Sequence, residues 1–250
     1  MRALIWDVDG TLAETERDGH RVAFNQAFEA EGVPWRWDAS HYGRLLSVTG
    51  GFERLMHDMA SRIEAPLAIA ERELLARRLH RLKNMLYAQI VASGGIGLRP
   101  GVRELMDDCS AAGVRMAIAT TTSRSNVEAL LGAHFGPYWE ARFDAVLCGE
   151  DAPRKKPDPQ VYALALERLN LAAGEVLAIE DSSPGVQACV RAGVPVIVTR
   201  SVYFAQAEVD GALAIGPDLA SGGDWQPAAS LVKSAGRIDL AQLRAWAAGR

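Results

Sequence analysis

Residues 3–11 read Ala3-Leu4-Ile5-Trp6-Asp7-Val8-Asp9-Gly10-Thr11, and the fold follows from how that stretch is parsed. An apolar run leads straight into two acids, then a glycine and a hydroxyl. As a buried strand, Ala3–Val8, it carries its charges at the carboxyl end, where open parallel sheets bind ligands. Acids at the end of a buried strand are unfavourable to desolvate without a partner. A hard cation offsets that penalty, because carboxylate and carbonyl oxygens are what Mg2+ takes. Taken alone, the pair also reads as an acidic loop or a helix cap.

Four further apolar runs have the length of buried strands: Val114–Ala119, Phe143–Cys148, Val176–Ile179 and Pro195–Val198. Helical spacing fills the gaps, with Gly101–Ala112 and Pro159–Leu169 the clearest, Ser125 as a cap before Asn126–Leu131, and a last helix after Asp239. Strand and helix in alternation predict an α/β fold: a Rossmann-like parallel sheet with helices on both faces. From Glu14 to Ser93 the rhythm breaks. Leu75, Leu79, Leu82, Leu86 and Ile90 form one helical stripe, and Val22, Phe24, Ala27 and Phe28 another. So long a stretch is no loop. The expectation is a discontinuous core, residues 1–13 and 97–250, with an all-helical cap, 14–96, inserted after the first strand. Ser221–Ala229 reads as a surface loop.

Three other places carry chemistry. Glu180-Asp181 follows Val176–Ile179, and parallel strands bring their carboxyl ends to one edge, so this pair faces Asp7 and Asp9. Facing carboxylates repel unless a cation lies between them. Thr120-Thr121-Thr122-Ser123 ends another strand, although threonines are common there. Lys156, fixed by Pro157, is a suitable point charge for a phosphoryl group, although basic runs are more often solvated.

Composition narrows the function. Of 250 residues, 49% are hydrophobic and the net charge is −4, which argues against a nucleic-acid binder. No apolar run spans a bilayer, and the start is too short for a signal peptide. Cys109, Cys148 and Cys189 have no metal-ligand spacing and read as buried thiols in a reducing, cytoplasmic setting. No glycine-rich dinucleotide fingerprint or phosphate-binding loop motif is present.

Taken together, Asp7-Val8-Asp9-Gly10-Thr11, Thr120, Lys156-Pro157 and Glu180-Asp181-Ser182 resemble the haloacid dehalogenase-like superfamily of Mg2+-dependent phosphohydrolases. The resemblance implies that Asp7 is the nucleophile, forming an aspartyl-phosphate, and that Asp9 is the acid and base. Asp9 must then be protonated while Asp7 is ionised. Mg2+ would be held by Asp7, the Asp9 carbonyl, Asp181 and Glu180, with Thr120 and Lys156 on the phosphoryl oxygens. The dehalogenases of the superfamily need neither Mg2+ nor the second aspartate, so Asp9 with Asp181 favours phosphate chemistry.

The inserted helices resemble the CbbY-like branch, which acts on sugar bisphosphates such as xylulose-1,5-bisphosphate. The matching residues are Glu16, His20, Tyr42, Thr49, Gly50, Gly51, Arg54, His80, Lys83 and Tyr87. With Thr121, Thr122 and Asn126 of the core, all of these except Tyr87 make up the implied substrate-binding set. From Glu71 to Lys83, five Lys or Arg face two Glu, as a second substrate phosphate requires. The branch usually has a lysine between Gly51 and Glu53, and this chain has Phe52. Arg99 or a helix arginine is a possible substitute. Phosphoglycolate phosphatases and beta-phosphoglucomutase share these motifs and are the alternatives, as is a non-catalytic module on the same scaffold. The expectation is a monomer acting on a small phosphorylated metabolite, with no nucleic-acid or membrane partner.

Overall fold

The computed structural model describes residues 1–227 and 236–249. Its first strand, β1 (Ala3–Trp6), is buried at every position and leads into the helical insert. The insert comprises α1 (Arg21–Ala30), α2 (Ala39–Leu45), α3 (Gly51–Ala60) and α4 (Ile69–Ala92), preceded by one π-helical turn at Glu16–His20. Asp38 caps α2 by accepting from the His41 amide at 2.7 Å, satisfying an amide that the helix leaves free. The core resumes with α5 (Val102–Ala111), β2 (Arg115–Ala119), α6 (Arg124–Phe135), β3 (Ala145–Leu147), α7 (Gln160–Leu169), β4 (Val176–Glu180), α8 (Ser183–Arg191), β5 (Val196–Thr199), β6 (Ala214–Gly216) and α9 (Leu240–Ala248).

All strand pairs are parallel and the order is β3-β2-β1-β4-β5-β6. The chain therefore winds outward both ways from β1 and β4, and the crevice between their carboxyl ends is the switch point where such sheets bind ligands. Alternate residues along the strands divide between two cores. Leu4, Trp6, Met116, Ile118, Leu177 and Ile179 pack on one face, with Tyr87 and Val91 of α4 joining them. Ala3, Ile5, Ala117, Ala119, Ala178 and Val196 pack on the other. That period of two, buried on both faces, is why the strands read as continuous apolar runs. The insert has its own core of Phe24, Phe28, Trp35, Trp37, Tyr42, Leu55, Met59 and Leu79.

The α/β Rossmann-like expectation agrees with this structure, in which helices alone lie between β1 and β2, and three details are corrected. Strand β6 has no signal in the sequence, because three residues are too few to show a period. Helix α6 begins earlier than expected: Ser123, extended at φ −69° and ψ 147°, is its cap, and Ser125 lies inside it. On α4 the buried line is Ala76, Leu79, Lys83, Tyr87 and Val91, one position round from most of the expected leucine stripe. That face looks onto a polar site, so a lysine and a tyrosine occupy it while Leu75, Leu82 and Leu86 flank it, half-buried. Asp239 caps α9 as expected, and all three cysteines are free and buried. Within Ser221–Ala229, residues 222–224 form a 3-10 turn; residues 228 and 229 lie outside the described residues. Among the described residues no helix is long and apolar enough to cross a membrane.

Candidate active site

The site is built on the strand ends. Asp7 follows β1 and accepts from the Lys156 ammonium at 2.6 Å; the same ammonium reaches Glu180, the last residue of β4, at 2.7 Å and the Ala119 carbonyl of β2 at 2.8 Å. One buried lysine thus ties together three neighbouring strands. Tyr162 of α7 donates to the same Glu180 oxygen at 2.5 Å. Asp181 accepts from the Ser201 hydroxyl at 2.6 Å. Gly10, at φ +84°, lies so close to this carboxylate that a Cβ there would sit 2.1 Å from an Asp181 oxygen. Only glycine takes that backbone shape without strain and leaves that room.

Asp7, Glu180 and Asp181 are all buried, and one carboxylate oxygen of each lies within 4.8 Å of the others. Burial, then the charge of Glu180, pushes Asp7 above the ordinary carboxylate range, although Lys156 opposes the shift. Burial, then the charges of Asp7 and Glu180, raises Asp181. The cluster is short of positive charge, and its donors are hard oxygens. These residues fit a divalent cation of the magnesium class. Glu180 has a second occupation that its spacing in the sequence did not reveal: it holds Lys156 in place.

Asp9 stands apart from that cluster. Its carboxylate accepts from Thr15 at 2.6 Å and is hydrogen-bonded to His20 Nε2 at 2.8 Å. Burial works against its charge, but His20 and Thr15 outweigh burial and hold Asp9 below the usual range. Without the charge of a cation or substrate, the two shifts run against the expected division, in which Asp9 keeps its proton and Asp7 loses it. The difference is local: donors outweigh burial at Asp9, whereas at Asp7 burial and the Glu180 charge outweigh Lys156.

Two adjoining cavities open from here. The first is lined by Asp7, Thr120, Lys156 and Asp181 from the core and by Thr49 and Leu46 from the insert. The second is lined by His20, Gly50, Gly51, His80 and Lys83 from the insert and by Thr122 and Asn126 from the core. Asp9, Glu16, Arg54 and Thr121 line both. Of the expected substrate-binding residues, Tyr42 lines neither. It lies behind them, donating to Glu16 at 2.5 Å and accepting from Arg54 at 2.9 Å.

The second cavity holds two buried cations, Arg54 and Lys83, against the carboxylates of Asp9 and Glu16. Lys83 lies 5.2 Å from the Phe24 ring and 5.3 Å from the Tyr87 ring, and burial lowers its pKa to about 8. Burial and then Lys83 lower His80 to about 3, so His80 is neutral near neutral pH. Gly51 is required by its neighbour, since a Cβ there would lie 2.8 Å from His80 Nε2. Among the described residues His20 Nδ1 and Asn126 Oδ1 are buried without a hydrogen-bond partner, and both residues line this cavity.

Arg99 does not supply the missing charge. It is buried in the core, donating to the carbonyls of Gly10, Thr199 (3.2 Å), Arg200 (2.6 Å) and Pro217 (2.6 Å). Nor does Phe52 leave a gap, since it packs against the insert's core beneath Arg77, 5.1 Å above its ring. His41 binds Asp58 and His134 binds the Ile96 carbonyl, and neither lines the two cavities. Sequence reasoning missed Tyr162, Ser201 and Asn84. Asn84 accepts from Lys83 at 3.3 Å and from Asn126 at 3.2 Å, bridging insert and core. A polar residue next to Lys83 on a long helix carries no signal until its partner is known.

A Rossmann-like core with an acidic cluster at its switch point, a lysine clamp and helices inserted after the first strand is the arrangement of a phosphatase. A family model described as haloacid dehalogenase-like hydrolase matches residues 1–193. The chain belongs to that family. It is 46% identical to "Protein CbbY, plasmid" of Cupriavidus necator, over 98% of this chain and 96% of that one. A crystal structure of a CbbY mutant from Rhodobacter sphaeroides in complex with xylulose-1,5-bisphosphate superposes with a TM-score of 0.84, at 38% identity, covering 97% of this chain and 99% of that one. A phosphorylated carbohydrates phosphatase of Thermotoga maritima is 32% identical over 78% of this chain and 82% of that one.

Proposed function

We propose that the protein is a Mg2+-dependent phosphatase of pentulose bisphosphates, with xylulose-1,5-bisphosphate as its substrate, and that residues 14–96 act as a cap over the core. The observation that carries this reading is a second cavity holding the buried cations Arg54 and Lys83, joined across Asp9 to the cavity of the carboxylate cluster. A sugar with a phosphate at each end matches both, and the similarity to CbbY bound to that compound supports it.

In the mechanism, Asp7 attacks phosphorus in line, forming an aspartyl-phosphate and dividing one difficult displacement into two. Lys156 already holds one Asp7 oxygen, leaving the other for attack. Asp7, Glu180, Asp181 and the Asp9 carbonyl would hold a Mg2+ ion, whose charge would keep Asp7 ionised beside an anionic phosphoryl group. The substrate's own charge has the opposite effect on Asp9, raising its pKa as a like-charged neighbour does. Asp9 then takes up a proton, with His20 at 2.8 Å as its relay, and delivers it to the leaving oxygen. In the second half Asp9 takes a proton from water, which opens the acyl phosphate. Thr120 and Lys156 hold the equatorial oxygens. Arg54, Lys83 and Asn126 grip the distal phosphate, and Glu16 and His20 lie between the two ends, where the sugar hydroxyls pass.

The test is a phosphate-release screen across xylulose-1,5-bisphosphate, pentose monophosphates, hexose phosphates and phosphoglycolate, with Mg2+ and with chelator. The bisphosphate is expected to give the highest kcat/KM, and chelation to abolish turnover. A phosphoglycolate preference, or conversion of a hexose-1-phosphate without phosphate release, sinks the assignment.

A further inference from the structure

The loop after β5 belongs to the core by sequence, yet two of its side chains pack into the insert. Tyr203 and Phe204 lie against the insert's hydrophobic cluster, with the Tyr203 ring 5.9 Å from that of Tyr42. The fit is close, since a Cβ on Gly43 would lie 3.0 Å from the Tyr203 ring. Phe204, with Leu46 of the insert, lines the cavity that holds Asp7, Lys156 and Asp181. The loop is also held from below. Arg200 donates to the Phe204 carbonyl at 3.1 Å, and the Val202 amide donates to Glu14 at 3.3 Å. Ser201, at its start, donates to Asp181.

We propose that Tyr203 and Phe204 form a clasp: Tyr203 fastens the insert to the core beside α2, and Phe204 walls the catalytic cavity and sets the size of leaving group it admits. The walled cavity matters as a reaction site only on the phosphatase reading above, whereas the fastening does not depend on it. The physical argument is one of area and position. An aromatic pair seated in an apolar cluster is a large contact for two residues. It lies at the cavity that holds the reacting carboxylates, on a loop stiffened at both ends. A cap that swings away must pull both rings out of that cluster. Neither residue touches the reacting atoms. Tyr203 is a positioning residue, and Phe204 determines specificity through shape.

The experiment has two arms on the full chain, with thermal unfolding of each variant to confirm the fold. In the first, amide hydrogen exchange is read along α2 and β1. Tyr203→Ala is expected to speed exchange in α2 by about 10-fold or more while β1 is unchanged, because local opening free energies report local packing. Tyr203→Phe is expected to restore protection, since it is the Tyr203 ring that packs against the cluster. Unchanged exchange in α2 for the double variant Tyr203→Ala/Phe204→Ala overturns the clasp, whatever the enzyme acts on. In the second arm, kcat/KM is compared between 4-nitrophenyl phosphate and xylulose-1,5-bisphosphate. Phe204→Ala is expected to shift the ratio about 10-fold toward the aryl ester, a change equal to one pocket group's discrimination. A ratio within about 2-fold of wild type overturns the specificity role. If wild type turns over the aryl ester but not the bisphosphate, the substrate reading fails, and the shift is read on pentose monophosphates instead.

Discussion

At the sheet end of the site three buried carboxylates crowd one lysine; at the insert end a buried arginine and lysine surround a neutral histidine. Both ends put like charges into low-dielectric surroundings, but they hold them differently. The sheet end is fixed by backbone: Asp7 and Glu180 sit at the ends of hydrogen-bonded neighbouring strands, and Lys156 is bound to the carbonyl of a third. The insert end is fixed by side chains on separate helices, joined by Tyr42, Asn84 and stacking of His20 on Tyr87 at 4.2 Å. Chemistry that tolerates little displacement is carried by the rigid frame. Recognition, which varies between substrates, is carried by the part whose geometry side chains can change.

The difference can be broken experimentally. Asp7→Asn has the largest expected effect, a loss of phosphate release of about 10^4-fold or more, as nucleophile removal produces elsewhere. It removes one charge from a crowded carboxylate cluster, so thermal unfolding should show a fold at least as stable as wild type. Residual turnover near wild type would refute the nucleophile. Next comes Lys83→Met, which keeps the packing and deletes the charge. A charged hydrogen bond of ~1.5–3 kcal/mol corresponds to a loss of about 10- to 150-fold in kcat/KM on the bisphosphate. Monophosphates should change by no more than about 3-fold, since uniform binding lost at one end leaves the chemistry intact. Equal losses on both substrates would mean that the insert end serves the reaction rather than recognition.

A smaller effect comes from pH. Burial lowers Lys83 to about 8, so it is charged below that pH and neutral above it. KM for a bisphosphate should rise as pH passes through about 8, and the rise should vanish in Lys83→Met. A limb that persists in the variant assigns it to another group. The smallest effect is Phe52→Lys, which places a cation where the resemblance to the CbbY-like branch implies one. Arg77 already lies over that ring and is exposed, so a screened charge should improve kcat/KM on the bisphosphate by no more than about 5-fold.

How far the residues themselves disclosed each end follows from the same contrast. Asp7, Asp9, Glu180 and Asp181 stood out because a strand end is a local pattern: an apolar run, then charge. Parallel pairing does the rest, bringing residues far apart in sequence to one edge. Lys83 and Arg54 were found only by resemblance, since a lysine on a basic helix looks solvated until its burial is known. Arg99 was misplaced for the same reason, because nothing in Leu98-Arg99-Pro100 announces four backbone carbonyls around one guanidinium.

The sequence by itself determined the α/β class, the position of the helical insert and the identity of the acids at the strand ends. Each is written in a period or a short motif, and periods survive any tertiary arrangement. Only the tertiary structure decided that Glu180 holds Lys156, that Asn84 joins insert to core, and that Tyr203 and Phe204 of the core reach into the insert's apolar cluster. It also decided which carboxylate of the Asp7–Asp9 pair is the more acidic. Two residues apart in the chain, they face different neighbours, Glu180 for one and His20 with Thr15 for the other. A carboxylate's pKa is set by what folding brings within a few ångströms, not by what precedes it in the chain.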